Sequence, residues 1–395
     1  MKRHHTLWLC AGYFTYFGAV GIYAPFWSPY LALRGFDAVD IGLLIALPSA
    51  ARAIVPIVLG WLADATHRAT AILRIAALLA GITFALFPFQ SGLGAFAVLA
   101  VLFGAFWNAV IPLYDSHTLS HLGTQSSHYG RLRLWGSVGF IVVSTLAGGV
   151  LQHLGYSIVP WIAWALMVAT FVITLMLNPV QGRPARSSLR GLGAAVRSRA
   201  VAIPLLVSTL VVMSCGAYYA FFTLWLEMHG YSRTAIGVLW AVGVMAEVVV
   251  FAIGSHLLAR FSLQTLFVAA AFGSALRWTA VGLGAAHPIV IGLSQVLHCL
   301  SFAVLHFAMV LTAHREFPRE LANSGQTLFN SVAYGVGGLL GGLLAGVIWA
   351  AISPQASYVC AAFIVVLATI CAAAGLRGPA PDKDSVSITS DRSPE

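Results

Sequence analysis

Gln181-Gly182-Arg183-Pro184-Ala185-Arg186-Ser187-Ser188-Leu189-Arg190-Gly191-Leu192-Gly193-Ala194-Ala195-Val196-Arg197-Ser198-Arg199 is a polar stretch carrying five arginines in the middle of an otherwise apolar chain. Before it, apolar runs fall near 7–33, 38–63, 71–90, 94–120, 132–153 and 157–178. After it they fall near 202–228, 233–258, 264–284, 287–313, 323–349 and 354–376. A lipid-spanning helix needs about 20 mostly apolar residues, so each run is long enough to be one. The pattern is six spans, a basic linker, six spans. It predicts an all-α membrane protein of twelve transmembrane helices in two six-helix halves, residues 1–178 and 201–377. Residues 179–200 would form a cytosolic basic linker, and the polar, Ser/Pro/Asp-rich tail at 378–395 a disordered cytosolic end.

Composition agrees. The 395 residues are 59% apolar and 8% charged, with a mean hydropathy of +0.89, where a soluble domain carries roughly 25% charged residues. So few charges could not cover a soluble protein of this length, which excludes a water-soluble enzyme. The net charge of +9 would suggest nucleic acid as a partner for a soluble chain. Here it reports topology, because cytoplasmic loops collect Lys and Arg. With both termini and the linker in the cytosol, 17 of the 21 basic residues fall in or beside cytosolic segments. Arg34 and Arg233 fall outside, and Arg52 and Arg277 within spans. The opposite orientation would reverse that asymmetry. The first apolar run, interrupted by Pro25 and Pro29, is too long for the apolar region of a signal peptide. The five cysteines (Cys10, Cys215, Cys299, Cys360, Cys371) lie in apolar runs without metal-ligand spacing, so no disulfide framework and no metal site is expected.

The halves resemble each other at an offset of 195 residues: Gly21 meets Gly216, Phe26 meets Phe221, Leu31 meets Leu226, Gly35 meets Gly230, Ile41-Gly42 meets Ile236-Gly237, and Leu62 meets Leu257. Each match is cheap in a membrane sequence, but their common register points to a duplication. Two such halves form an alternating-access architecture with a substrate site at the midplane between them. Outer connections as short as Gln90-Ser91-Gly92 leave no room for an extracellular catalytic domain.

Ionisable groups at membrane depth are costly, so they face a cavity or a partner and are functional candidates. Arg52 sits in the middle of span 2, and Glu247 takes its place in the second half. Asp115 follows Pro112 in span 4, and the proline frees a backbone carbonyl there. Arg277 lies mid-span 9 beside Trp278. His298 and His306 lie on span 10, eight residues and so about 80° apart around a regular helix. Arg131 and Arg133 open span 5 near the cytosolic surface, where topology alone accounts for them. Phe14, Tyr16, Tyr23, Phe26 and Trp27 on span 1, with Tyr218, Tyr219, Phe221 and Phe222 on span 7, would supply an aromatic wall.

The loop after span 2, Gly60-Trp61-Leu62-Ala63-Asp64-Ala65-Thr66-His67-Arg68, resembles the G-x-L-A-D-x-x-G-R signature of the major facilitator superfamily, with His67 where Gly is usual. The resemblance makes Gly60, Asp64 and Arg68 a conformational signature loop. Several runs look like the superfamily's 3-phenylpropionate transporter group: Gly12-Tyr13-Phe14-Thr15-Tyr16-Phe17, Pro25-Phe26-Trp27-Ser28, Arg131-Leu132-Arg133-Leu134-Trp135-Gly136, Ala246-Glu247-Val248, Arg277-Trp278 and Leu297-His298-Cys299. A more distant similarity is to the lactose permease family of sugar–proton symporters. It implies that Asp115, Arg133 and Glu247 bind substrate, that Phe140 takes the place of a stacking Trp, and that Arg277 and His298 belong to a proton-coupling group. That family's acid one turn beyond the histidine is missing, and Ser301 stands there. Arg52 has no charged counterpart in the sugar symporters but has one in the phenylpropionate group.

Together these features lead to the expectation of a proton-coupled symporter of the cytoplasmic (inner) membrane that imports a small aromatic carboxylate. The predicted substrate residues are Asp115, Arg133, Glu247, Arg52 and Phe140, with Arg133 or Arg52 on the carboxylate. The predicted proton-coupling residues are Glu247, Arg277, His298 and His306. The alternative within the class is a sugar or nucleoside symporter; from another class, a channel or receptor. The expected partners are the substrate, a proton and the bilayer, not nucleic acid. The chain is expected to work as a monomer without cofactor or metal, driven by the proton gradient. HExxH, GxSxG and paired catalytic Asp motifs are lacking, so an enzyme is not expected.

Overall fold

The structure, a computed structural model, describes residues 3–179, 192–258, 260–318 and 321–376. Most of the linker and the tail beyond Leu376 lie outside the described residues. Helices dominate, and there is no strand among the described residues. Among the described residues, twelve helices are long and apolar enough to cross a membrane: His4–Leu33 (span 1), Ala38–Val55 (span 2, inside a helix running Ala38–Thr66), Ala69–Phe89 (3), Leu93–Leu122 (4), Tyr129–Leu154 (5), Tyr156–Met176 (6), Arg199–Met228 (7), Arg233–Ala252 (8, inside a helix running Arg233–Leu258), Leu263–Leu283 (9), Pro288–Glu316 (10), Ser324–Ala351 (11) and Pro354–Gly375 (12). The helices agree with the sequence expectation to within a few residues, although the apolar spans 2 and 8 end at Val55 and Ala252, short of the expected 63 and 258.

The ends of the helices follow from local chemistry. Asp37 caps the span 2 helix by accepting from the Asp40 N–H at 2.9 Å. Ser262 and Ser353 cap spans 9 and 12 in the same way, each satisfying a backbone donor that the first turn leaves free. Spans 3 and 6 have a 3-10 turn at one end, and spans 7, 10 and 11 are broken well inside their length. Span 7 is interrupted at Cys215. Span 10 contains a π-helical turn at Leu300–Val304, and span 11 a longer one at Asn330–Gly337. π-Turns are rare and often mark functional positions.

The first six spans pack on one another and so do the last six. Across the two sets, span 2 lies on span 11, span 5 on span 8, and span 1 on span 7. The repeat seen in the sequence has structural meaning. Gly35 and Gly230 end spans 1 and 7 with φ of 84° and 82°, a backbone that L side chains avoid. Gly42 lies against the backbone of Gly342 and Gly346 on span 11, and Gly237 against the Ser144 carbonyl on span 5. A Cβ at either position would come within 2.7 or 2.3 Å of those oxygens. The paired glycines therefore let each half approach the other along equivalent helices.

These close contacts, with those of Gly148 on Arg233 and Thr234, Gly338 on Ser49 and Gly335 on Ala53, all lie between the middle of the bundle and the end carrying the Gly35 and Gly230 turns. That end is sealed.

Candidate functional site

Two polar groups stand inside the bundle, one on spans 1, 4 and 5 and the other on spans 7 to 10. In the first, the Tyr13 hydroxyl of span 1 donates to Asp115 Oδ1 at 2.6 Å and approaches Thr118 Oγ1 at 3.3 Å. Arg133 places its guanidinium 3.9 Å from the centre of the Phe17 ring and 5.6 Å from that of Tyr13. It is close enough to Asp115 for their charges to interact. A cation over a ring face gains about 1 kcal/mol when partly desolvated, so the aromatic residues of span 1 keep Arg133 half-buried against Phe17 and Tyr13. Gly136 permits this: a Cβ there would meet Phe17 at 2.6 Å and the Arg133 guanidinium at 2.8 Å. Tyr16 stacks on Trp107 with centroids 4.2 Å apart, extending the aromatic wall to span 4.

In the second half, Arg277 is completely buried. It donates to His298 Nδ1 at 2.7 Å, to Ser301 Oγ at 3.2 Å and to Gln295 Oε1 at 3.2 Å, and it lies between the rings of Tyr218 (4.2 Å) and Trp278 (4.5 Å). Tyr218 also donates to Gln295 Oε1, at 3.1 Å. The other nitrogen of His298, Nε2, meets Glu247 Oε1 at 2.6 Å. The tautomer follows: arginine only donates, so Nδ1 must accept and the ring's single proton sits on Nε2, facing Glu247.

The sequence-predicted residues thus divide. Glu247, Arg277 and His298 come together as one network. Asp115 and Arg133 come together in the other half. Arg52 joins neither: its guanidinium lies 4.5 Å from the ring centre of Tyr334 on span 11. His306 is separate from His298 and shares the electrostatic surroundings of Arg52 and Arg133. Phe140, two turns beyond Arg133, is buried in the apolar core, where its backbone touches Gly21. In the signature loop Arg68 is exposed, and the Gly60 and Asp64 side-chain positions lie outside what the structure describes. Sequence reasoning missed Gln295 and Tyr334. Gln295 could have been found as a lone amide in an apolar run; nothing in the sequence marks Tyr334 among the chain's aromatics.

Comparison with known proteins agrees with this architecture. The chain matches the MFS_1 like family over residues 6–360. It is 30% identical over 340 residues to a "Probable 3-phenylpropionic acid transporter" of Escherichia coli (strain K12), covering 85% of this chain and 89% of that one. It is 28% identical over 343 residues to the "Maltose permease" of Geobacillus stearothermophilus, covering 84% and 86%. Among solved structures, the nucleoside transporter NupG superposes with a TM-score of 0.83 at 17% identity, over 95% of this chain and 99% of that one. The resemblance read from the signature loop holds at the level of the family: this chain is a multi-pass membrane transporter belonging to the MFS_1 like family of the major facilitator superfamily.

Proposed function

We propose that the protein is a proton-coupled symporter of the cytoplasmic membrane that imports a small aromatic carboxylate, of the 3-phenylpropionate type, by alternating access. The observation that carries the anionic substrate is the charge around the central space, where three guanidinium groups (Arg52, Arg133, Arg277) face two carboxylates (Asp115, Glu247). The surplus cation lies among aromatic rings, which suits a ring bearing a negative charge. The charge asymmetry of the loops puts both termini in the cytosol. The sealed end is then extracellular, so the proposed state is one closed to the outside.

Coupling would use the Glu247–His298–Arg277 chain. Proton uptake neutralises Glu247 and weakens its hold on His298. Release to the cytosol restores the pair, so the network has a different strength in each protonation state, as coupling between two conformations requires. No cofactor enters this scheme.

A sugar or nucleoside symporter is the second reading, favoured by the acceptor oxygens of Asp115 and Glu247, which suit hydroxyl groups. Proteoliposomes carrying an imposed pH difference distinguish them. Labelled 3-phenylpropionate is expected to accumulate inside and collapse with a protonophore, while maltose and uridine do not accumulate. Accumulation of a neutral sugar or nucleoside with no response to the aromatic acid would replace the first reading by the second.

A further inference from the structure

We propose that Arg52 and the hydroxyl of Tyr334 form the carboxylate subsite of the transport cavity, one donor from each half, so that bound substrate ties the halves together at the inner end of the sealed seam. The inference rests on the aromatic-carboxylate reading above. It adds to that reading which arginine takes the acid, and a residue the sequence did not single out.

Three cations could hold a carboxylate. Arg277 is fully buried, with three side-chain acceptors and two ring faces already around it. Arg133 has Asp115 nearby as a counter-charge and Phe17 against one face. Arg52 is exposed at mid-span, and among the described residues no acidic side chain pairs with it. A cation at that depth is expensive without an anion. The aromatic face it uses instead, that of Tyr334, satisfies none of its five N–H donors.

Tyr334 supplies the complementary deficit. Its hydroxyl is buried without a hydrogen-bond partner, which is rare for a buried polar atom and calls for a reason. The residue sits on the π-helical stretch Asn330–Gly337 of span 11. Next to it, Gly335 lets the backbones of spans 2 and 11 meet: a Cβ there would lie 2.6 Å from Ala53 Cβ. Arg52 and Tyr334 are therefore held together across the seam by close backbone packing. A carboxylate between them would accept from the guanidinium through one oxygen pair and from the phenol through a remaining lone pair. Phe302, 6.3 Å from Tyr334, offers a neighbouring surface for the ring.

The anion has a second effect. Arg52 belongs to the first half and Tyr334 to the second, so a ligand touching both binds the sealed arrangement more tightly than one in which spans 2 and 11 have parted. Substrate thereby favours one state by its differential contacts, which is how a ligand shifts a conformational equilibrium.

The test measures binding of 3-phenylpropionate and of its neutral amide to the purified full chain by titration calorimetry. It compares wild type, Tyr334→Phe, Arg52→Gln and Arg133→Gln, each checked for folding by thermal denaturation. Wild type is expected to prefer acid over amide at least tenfold. Tyr334→Phe, which keeps the ring beneath Arg52, should weaken acid binding roughly tenfold, the effect of one charge-assisted hydrogen bond. Arg52→Gln should abolish the acid-over-amide preference, and Arg133→Gln should retain it. Loss of the preference in Arg133→Gln but not in Arg52→Gln, or wild-type acid affinity in Tyr334→Phe, overturns the subsite while leaving an aromatic-acid transporter in place. Equal binding of acid and amide by the wild type overturns it too. If wild type binds neither compound, the aromatic-carboxylate reading itself fails and the subsite falls with it. Should Arg52→Gln not fold, Tyr334→Phe alone decides.

Discussion

Glu247 occupies in the second half the position that Arg52 occupies in the first, yet the two have opposite surroundings. Glu247 is locked to His298 at 2.6 Å; Arg52 lies on the Tyr334 ring, with no acidic partner among the described residues. Arg277 fixes the His298 tautomer, and the coupling scheme proposed above places the transported proton on Glu247. Glu247→Gln is therefore expected to abolish accumulation driven by a pH difference in proteoliposomes, while exchange of substrate across the membrane without a gradient persists. Ser301→Ala should change accumulation little, because Arg277 keeps His298 and Gln295. Undiminished pH-driven accumulation in Glu247→Gln would move the proton to a histidine or to Asp115. These charges were legible in the sequence because a carboxylate or guanidinium inside an apolar run has to be explained. Their grouping was only partly legible. The aromatic residues that hold Arg133 and Arg277 carry no sign in the sequence of which cation they serve. The orphaned hydroxyl of Tyr334 shows only once its neighbours are placed.

At the scale of the helices, the spans were readable because about 20 apolar residues bounded by polar ones leave little freedom in lipid. The interruptions were not. Neither Leu300–Val304 nor Asn330–Gly337 contains a proline, so nothing announces a π-turn. The regular-helix angle expected between His298 and His306 does not survive the wider turn that separates them. His67 is the reverse case, a visible departure with a clear physical reason. It stands where the family signature has Gly, and it ends the span 2 helix at φ 54° and ψ 26°, alone among the described non-glycine residues in having positive φ. The position demands a left-handed backbone, which Gly adopts freely and His tolerates better than most residues. His67→Gly is expected to keep or raise thermal stability. His67→Val, β-branched and intolerant of this region, should lower stability by about 1 kcal/mol. Comparison of the denaturation midpoints of the two variants in one detergent checks the assignment, and a Val variant as stable as wild type would refute it.

Across the whole molecule, the two basic residues that break the inside-positive pattern are both engaged at the sealed end. Arg34 donates to the Tyr30 hydroxyl at 2.7 Å and to the carbonyls of Pro88 and Gln90, tying the end of span 1 to the connection between spans 3 and 4. Arg233 does more, because it joins the halves. From the start of span 8 it donates to the Leu151 carbonyl of span 5 at 2.7 Å and pairs with Glu227 of span 7 at 3.4 Å. Its guanidinium also lies 4.2 Å from the centre of the Tyr156 ring, whose hydroxyl donates to the same Glu227. Its backbone N–H takes Gln152 Oε1 at 2.9 Å. This cluster sits beside Gly148, whose missing Cβ lets the Arg233 backbone approach, so the seal is fastened where it is tightest. The Glu227 pair lies within the second half, so the contacts across the seam are the Tyr156 ring face, about 1 kcal/mol, and the Leu151 carbonyl bond, about as much again. Arg233→Gln is thus expected to shift the balance toward the state open at this end by roughly tenfold, since 1.4 kcal/mol is one decade. Spin labels at the exposed positions Leu154 and Met228, which belong to opposite halves, read that balance as the fraction of long distances between them. Tyr156→Phe, which removes only the hydroxyl bond to Glu227, should shift it less. A distance distribution unchanged in Arg233→Gln would mean that the glycine-mediated packing of spans 5 and 8, and not the polar cluster, holds the sealed end shut.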